Sequence, residues 1–241
     1  MAKKKSDSSG IDRTPSGIPG MDEMIGGGFV RNSTTLIQGG AGAAKTLLCL
    51  QHLYHGATEM DEPGILVSFN ESEKALLRHA SVFKWDFKSL IEKKKFAVVS
   101  FEPHEMVRII SEGSNVLQDS IESIGAKRAV IDSLSAYSLY FEKAYMANQS
   151  VLNLFEQLRK TEVTTLLTME LAVTPNRGSG DRAEFLTDGV VNLYSIRENR
   201  QNYRAMEVIK MRDTDHSNDV KLFTVDKSGL RVLGSQKLDL G

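Results

Sequence analysis

Between residues 34 and 169, short apolar runs alternate with longer segments that have a helical pattern. The apolar runs predict strands at 34–38, 65–69, 96–99, 129–131 and 164–169. The segments between them predict helices at 46–58, 72–83, 105–124 (interrupted by Gly113) and 151–158, where apolar residues fall at i, i+3, i+4 and i+7. Strands that alternate with helices form βαβ units, which predicts a parallel sheet covered by helices.

The pattern changes after the polar loop at residues 175–181. Strand-like segments then follow one another without helices between them, at 190–194, 205–211, 222–225 and 230–233. This succession predicts an antiparallel extension of the same sheet, and therefore one α/β domain without internal repeats. We expect this domain at residues 11–235, between a flexible tail at 1–10, which lacks apolar groups to bury, and a short tail at 236–241.

Composition narrows the class of protein. The 241 residues are 41% hydrophobic and 25% charged, as in ordinary globular domains. The sequence contains no apolar run near the roughly 20 residues that span a bilayer, and no apolar signal-peptide core. Its one cysteine, Cys49, agrees with a reducing compartment. We therefore expect a cytoplasmic protein without membrane contact. The net charge of −1 does not favour a nucleic-acid partner.

A glycine-rich turn joins the first predicted strand of the sheet to the first helix. Residues 39–46 nearly fit the phosphate-loop pattern G-x-x-x-x-G-K-[ST], with Ala44 in place of the last glycine. Small residues let backbone N–H groups approach phosphate oxygens, while Lys45 supplies charge to the β- and γ-phosphates. The predicted ATP-binding residues are Gly40, Ala41, Gly42, Ala43, Ala44, Lys45, Thr46 and Leu47. The methyl group of Ala44, directed toward the phosphates, would weaken binding unless the loop shifts.

Two carboxylates follow predicted strands. Asp132 ends the strand at 129–131, and Thr46 follows the loop lysine, so these two residues are the candidate Mg²⁺ ligands, with Asp132 acting through water. Glu71 lies just past the strand at 65–69 and is the candidate general base for an attacking water. Each carboxylate has a structural alternative, because such residues also cap turns and helices.

Several landmarks together resemble the KaiC-like ATPases of the RecA fold, a family named for the circadian clock protein KaiC and widespread in archaea. The resemblance covers residues 11–232, with one domain of the archaeal type. Its signs are Thr14-Pro15-Ser16-Gly17-Ile18-Pro19-Gly20-Met21-Asp22, Gly26-Gly27-Gly28, Phe69-Asn70-Glu71, Ile131-Asp132-Ser133 and Lys210-Met211-Arg212-Asp213-Thr214-Asp215-His216-Ser217.

The resemblance implies a homo-oligomer, usually a hexameric ring, with ATP bound between subunits. It implies that Lys210 and Arg212 contact the γ-phosphate of the neighbouring subunit, in the manner of arginine fingers, and that His216 shapes the same edge. Thr168 and Glu170 resemble the polar residues that sense the γ-phosphate beside the metal-binding strand.

Departures from the family pattern keep two other functions open. KaiC has paired glutamates where this chain has Asn70 and Glu71, which implies slow hydrolysis or, as one alternative, a pseudo-ATPase scaffold. The other alternative is a RecA- or RadA-paralogue-like accessory ATPase in DNA repair or recombination. The loop at residues 176–182 lies roughly where RecA-type proteins contact DNA, but it has no aromatic residue for base stacking, and Asp181 and Glu184 offset its arginines.

Overall fold

The computed structural model of the chain describes residues 10–101, 105, 116–138, 141, 143–171, 182–198 and 200–237. A two-stranded antiparallel ribbon pairs β1 (Arg13–Thr14) with β2 (Phe29–Val30). The remaining strands are β3 (Thr34–Gly39), β4 (Gly64–Ser68), β5 (Phe96–Ser100), β6 (Arg128–Asp132), β7 (Thr164–Glu170), β8 (Gly189–Glu198), β9 (Gln201–Met211), β10 (Lys221–Asp226) and β11 (Gly229–Lys237). The described helices are α1 (Lys45–Glu59), α2 (Glu73–Ser81), α3 (Phe87–Glu92), α4 (Val116–Ser123), α5 (Leu134–Ser138), α6 (Ala144–Lys160) and α7 (Arg182–Leu186).

Strands β3 to β11 form one sheet in the order β11-β10-β9-β8-β3-β7-β6-β4-β5. The six strands from β8 to β5 pair in parallel, and β9, β10 and β11 add antiparallel strands. Strand β8 joins the two parts, because it runs parallel to β3 on one side and antiparallel to β9 on the other. The α/β class, with a mostly parallel sheet and an antiparallel extension, is therefore confirmed.

Helices cover both faces of the parallel part of the sheet. On one face, Ile37 and Leu66 pack with buried residues of α1, α2 and α3. On the other face, Leu36 and Ile65 pack with α4, α5 and α6. Successive strand residues point to opposite faces, so a strand covered on both sides has no polar face and appears in the sequence as an uninterrupted apolar run. Each such leucine or isoleucine contributes about 1.5–3 kcal/mol on full burial.

The sequence pattern does not predict the shortest helices and strands. The ribbon and the helices α3, α5 and α7 are too short to repeat a helical or alternating pattern. Of the helix expected at 105–124, the structure describes Glu105 and α4; residues 1–9 and 238–241 of the expected tails lie outside the described residues. Strand β11 ends at Lys237, past the domain end expected at residue 235.

Candidate functional site

The carboxyl ends of the parallel strands meet at one edge of the sheet. There β3 ends at Gly39, β4 at Ser68, β6 at Asp132 and β7 at Glu170. Ligand sites of open α/β sheets lie outside this edge, and the glycine-rich loop between β3 and α1 crosses it. The predicted nucleotide loop thus has the strand–loop–helix context that its motif requires.

The backbone of the loop depends on small residues. A Cβ on Gly39 would collide with the carbonyl oxygen of Leu193, so a side chain there is excluded by the neighbouring strand. Ala44 precedes the first residue of α1 in the left-handed region, with φ 72°. An L-residue with a Cβ is disfavoured by roughly 1–2 kcal/mol in this region, which is a second reason, besides crowding of the phosphates, why glycine suits this position.

Lys45 bends back over the loop. Its Nζ donates hydrogen bonds to Gly39 O at 2.8 Å and to Gly40 O at 3.0 Å. Partial burial lowers the pKa of Lys45, and the negative charges of Glu170 and Asp132 oppose that shift. The ammonium group therefore lies within the loop, held by neutral carbonyls that anionic phosphate oxygens can replace.

Two hydroxyl groups hold the carboxylate at the end of β6. Thr46 Oγ1 donates to Asp132 Oδ2 at 2.7 Å, and Thr168 Oγ1 donates to Asp132 Oδ1 at 2.5 Å. Hydroxyl and carboxylate oxygens suit Mg²⁺, so Thr46 and Asp132 fit this ion chemically. Among the described residues, no group of three or more His, Cys, Asp and Glu side chains could hold a metal. Mg²⁺ at Thr46 and Asp132 would therefore need phosphate oxygens and water as further ligands.

An open cavity of about 310 Å³ lies beside the loop and includes Glu71 in its wall. Its lining residues are Gly42, Ala43, Ala44, Lys45, Thr46, Leu47, Leu50, Glu71, His79 and Phe83. No sequence motif indicates Leu50, His79 or Phe83 as lining residues. His79 and Phe83 lie one helical turn apart, but that spacing alone does not indicate which cavity a helix faces.

Asn70, which stands where the resemblance implies the first of two glutamates, forms its side-chain hydrogen bond outside the cavity lining. Its Nδ2 donates to Ser133 Oγ at 3.1 Å, which ties the end of β4 to the residue after β6. Glu71, in contrast, lines the cavity. Of positions 70 and 71, the structure therefore brings one carboxylate, and not two, to the phosphate loop.

Lys210 and Arg212 have partners within their own chain. Lys210 Nζ donates to Glu184 O at 2.9 Å and to Thr187 O at 2.5 Å, at the end of α7, and burial lowers its pKa. Arg212 Nη1 donates to Asp188 Oδ1 at 3.0 Å, with 51% of its side chain exposed. Neither belongs to the described lining of the cavity, so the structure groups them near α7, apart from their own chain's loop.

The remaining predicted residues lie at three places: the phosphate loop, the loop before β2 and the start of α7. Glu170 ends β7 near the loop, where its backbone N–H donates to Ser135 Oγ at 2.8 Å. His216 Nδ1 lies 3.1 Å from Ser217 O, in a segment that docks on the loop before β2 through Ser217 N–H and Met24 O at 2.8 Å. Of the candidate DNA-contacting loop, residues 176–181 lie outside the described part, and Arg182 begins α7.

Within the described residues, no helix combines the length and the apolar character that crossing a lipid bilayer requires.

Comparison with known proteins identifies the family. The family model "ATPase: KaiC" matches residues 14–237. A circadian clock oscillator protein KaiC of Prochlorococcus marinus is 33% identical over 95% of this chain and 47% of its own length, and KaiC of Parathermosynechococcus lividus is 32% identical over 95% of this chain and 44% of its own. The chain thus spans about half the length of these relatives.

A solved structure agrees over nearly the whole fold. The crystal structure of a KaiC-like protein from the hyperthermophilic archaeon Pyrococcus horikoshii OT3 matches with a TM-score of 0.83 and 34% identity, over 92% of this chain and 99% of that one. Because the family model covers most of the chain and the predicted phosphate loop lies within it, the resemblance seen in the sequence is confirmed. The chain belongs to the KaiC family of RecA-fold ATPases.

Proposed function

We propose that this chain binds ATP with Mg²⁺ and hydrolyses it slowly, as a cytoplasmic, ring-forming switch whose assembly depends on the nucleotide. The observation that carries the proposal is the convergence of Lys45, Thr46 and Asp132 at the phosphate loop, beside an open cavity that contains Glu71. Asp132 lies 86 residues after Thr46 in the sequence, and a structural turn before a helix would need neither residue.

Phosphate binding replaces contacts that the chain makes with itself. Backbone N–H groups of Gly40 to Leu47 surround the phosphates at the start of α1, where the helix dipole favours negative charge. Lys45 exchanges the carbonyl oxygens of Gly39 and Gly40 for phosphate oxygens, which form stronger charge-assisted hydrogen bonds.

Thr46 and Asp132 would hold Mg²⁺, which when bound neutralises charge on the β- and γ-phosphates. The hydroxyl of Thr168 fixes the orientation of the Asp132 carboxylate. Glu170 keeps a negative charge close to Lys45, in the position from which γ-phosphate loss would be sensed.

Glu71 is the proposed general base, because it is the one carboxylate among the described residues that line the cavity. A single base without a second acid at position 70 supports slow turnover. Replacing Glu71 by Gln should preserve ATP binding and slow turnover by about 10²-fold or more, the scale of general-base loss.

The proposed partner is a second copy of the chain, in a ring that is usually a hexamer in this family. Arg212 uses one guanidinium nitrogen for Asp188 and half of its side chain is exposed, so other N–H groups are available to a neighbour's γ-phosphate. Lys210, which donates to two carbonyl oxygens among the described residues, would act beside it, and His216 would shape the same edge. Hydrolysis would then require contact between subunits.

A mixing experiment tests this proposal. ATP turnover and particle mass are measured with and without nucleotide for the unmodified protein, for Lys45→Ala and for Arg212→Ala. Each variant alone should lose turnover, whereas mixed rings should regain part of it where an intact loop meets an intact arginine. Verified mixed rings without recovery would reject trans action, and an unmodified protein that binds but never hydrolyses ATP would favour the scaffold function. Salt-dependent DNA binding would favour the recombination function.

A further inference from the structure

A histidine lies against the proposed general base. His79 Nδ1 is 3.1 Å from Glu71 Oε2, and both residues line the cavity beside the phosphate loop. Glu71 Oε2 is buried and makes no hydrogen bond of good geometry with any described residue, although the Glu71 side chain as a whole remains 33% exposed. The second carboxylate oxygen, Oε1, is therefore the one that a water in the cavity can reach.

The backbone of Glu71 is fixed on both sides of its Cα atom. Its N–H donates to Ser68 Oγ at 3.1 Å, and its carbonyl oxygen accepts from Ser100 Oγ at 3.3 Å. These bonds leave the side-chain torsions free. A glutamate has three such torsions, so a fixed backbone alone does not direct the carboxylate at an attacking water.

His79, in contrast, sits on an anchored element. Helix α2 buries Leu76 and Ala80, at 2% and 1% exposure, against the sheet. Just after the helix, Phe83 stacks on Trp85 with ring centroids 4.9 Å apart, and Trp85 stacks on Tyr54 at 5.7 Å. The imidazole is thus presented to the cavity from a packed helix end, while Glu71 approaches it from a loop.

We propose that His79 is a positioning residue for Glu71: its imidazole restrains Oε2 and so directs Oε1 to the water that attacks the γ-phosphate. The inference rests on the proposed role of Glu71 as base. Restraining a side chain that would otherwise sample several rotamers raises the fraction of productive geometries, and a displacement of about 1 Å at a reacting group can reduce a rate by about 10²-fold.

The experiment measures kcat, KM and the dissociation constant of ATP with Mg²⁺ in the full chain. The variants are His79→Ala, which removes the restraint, and His79→Gln, which keeps an N–H donor on a side chain of similar polarity. Arg78→Ala is the matched control, because Arg78 is an exposed neighbour on the same helical turn and does not line the cavity. His79→Ala is also combined with Glu71→Gln, so that an effect through Glu71 can be separated from any other.

We expect His79→Ala to lower kcat by roughly 10-fold to 100-fold with unchanged ATP affinity, His79→Gln to restore part of it, and Arg78→Ala to match the unmodified protein. In the Glu71→Gln background, His79→Ala should cause no further loss. Three results would each overturn the positioning role: the same fold-loss of kcat in the Glu71→Gln background, a loss of ATP affinity with kcat unchanged, or no change in kcat. Full turnover of Glu71→Gln alone would instead reject Glu71 as the base in the proposed function, and the role of His79 with it.

Discussion

Strand β6 carries a buried charge at each end, and the two ends differ in how those charges are satisfied. At its amino end, Arg128 is fully buried and pairs with Glu62 Oε2, with Nε at 2.8 Å and Nη2 at 2.7 Å. Its Nη1 also donates to Pro15 O at 3.0 Å and His52 O at 2.9 Å. At the carboxyl end, Asp132 is held by two hydroxyls beside an open cavity.

The comparison separates structural charge from functional charge. The guanidinium of Arg128 is enclosed by groups of the chain itself, and a Cβ on Gly56 would collide with its Nε, so no ligand has access. Lys45 and Asp132, in contrast, use neutral groups that a ligand can displace. Burial and charge alone therefore do not single out a binding site; the proposed nucleotide site differs from the amino end in having replaceable partners next to open space.

The largest effect on stability is expected from breaking the amino-end pair. Glu62→Gln leaves the buried Arg128 charge without its counterion, which should destabilise the fold by about 3–5 kcal/mol. The measurement is denaturant unfolding. Asp12→Asn is the control, because Asp12 pairs with Arg31 at 2.6 Å but is 68% exposed, and an exposed pair contributes at most about 1 kcal/mol. Equal losses in the free energy of unfolding for both variants would contradict the difference between the buried and the exposed ion pair.

A smaller effect on stability is expected from a change of pH, through His52 beside the amino end of β6. Burial, and then the charge of Arg128, lower the pKa of His52 well below its usual value. The unfolded chain therefore binds a proton near pH 6.5 that the folded chain does not, so stability should fall as pH drops below this value, by up to about 1.4 kcal/mol per unit. Unfolding measured from pH 7.5 to 5.5 should show this slope, and His52→Gln should reduce it. An unchanged slope in His52→Gln would assign it to other groups.

The smallest effect is expected at the phosphate loop itself. Ala44→Gly removes a left-handed alanine, worth roughly 1–2 kcal/mol, but adds backbone freedom that costs about 0.5–1 kcal/mol. The net change should be a gain of at most about 1.5 kcal/mol in stability, with ATP binding as tight as before or tighter. Thermal unfolding and ATP titration measure the two quantities. Weaker ATP binding would show that the loop is adapted to alanine.

The sequence predicts the central parallel strands well because β3, β4, β6 and most of β7 are buried on both faces, so local pattern and tertiary position agree. The phosphate loop and Asp132 are predictable for a related reason: the motif fixes Lys45 and Thr46, and strand ends converge in a parallel sheet. His79 and Phe83 are not predictable, since their access to the cavity depends on how α2 packs. The partners of Lys210 and Arg212 at α7 and Asp188 likewise arise from contacts distant in sequence.

ATP titration with and without Mg²⁺ measures directly whether the carboxyl edge of the sheet is the proposed nucleotide site. The unmodified protein is compared with Lys45→Ala and with Lys127→Ala, which removes an exposed lysine just before β6, at the opposite edge of the sheet. We predict that Lys45→Ala loses ATP binding, because an ammonium among phosphate charges is hard to replace with water, while Lys127→Ala binds normally. Unchanged ATP affinity in Lys45→Ala would show that the phosphate loop is not the nucleotide site.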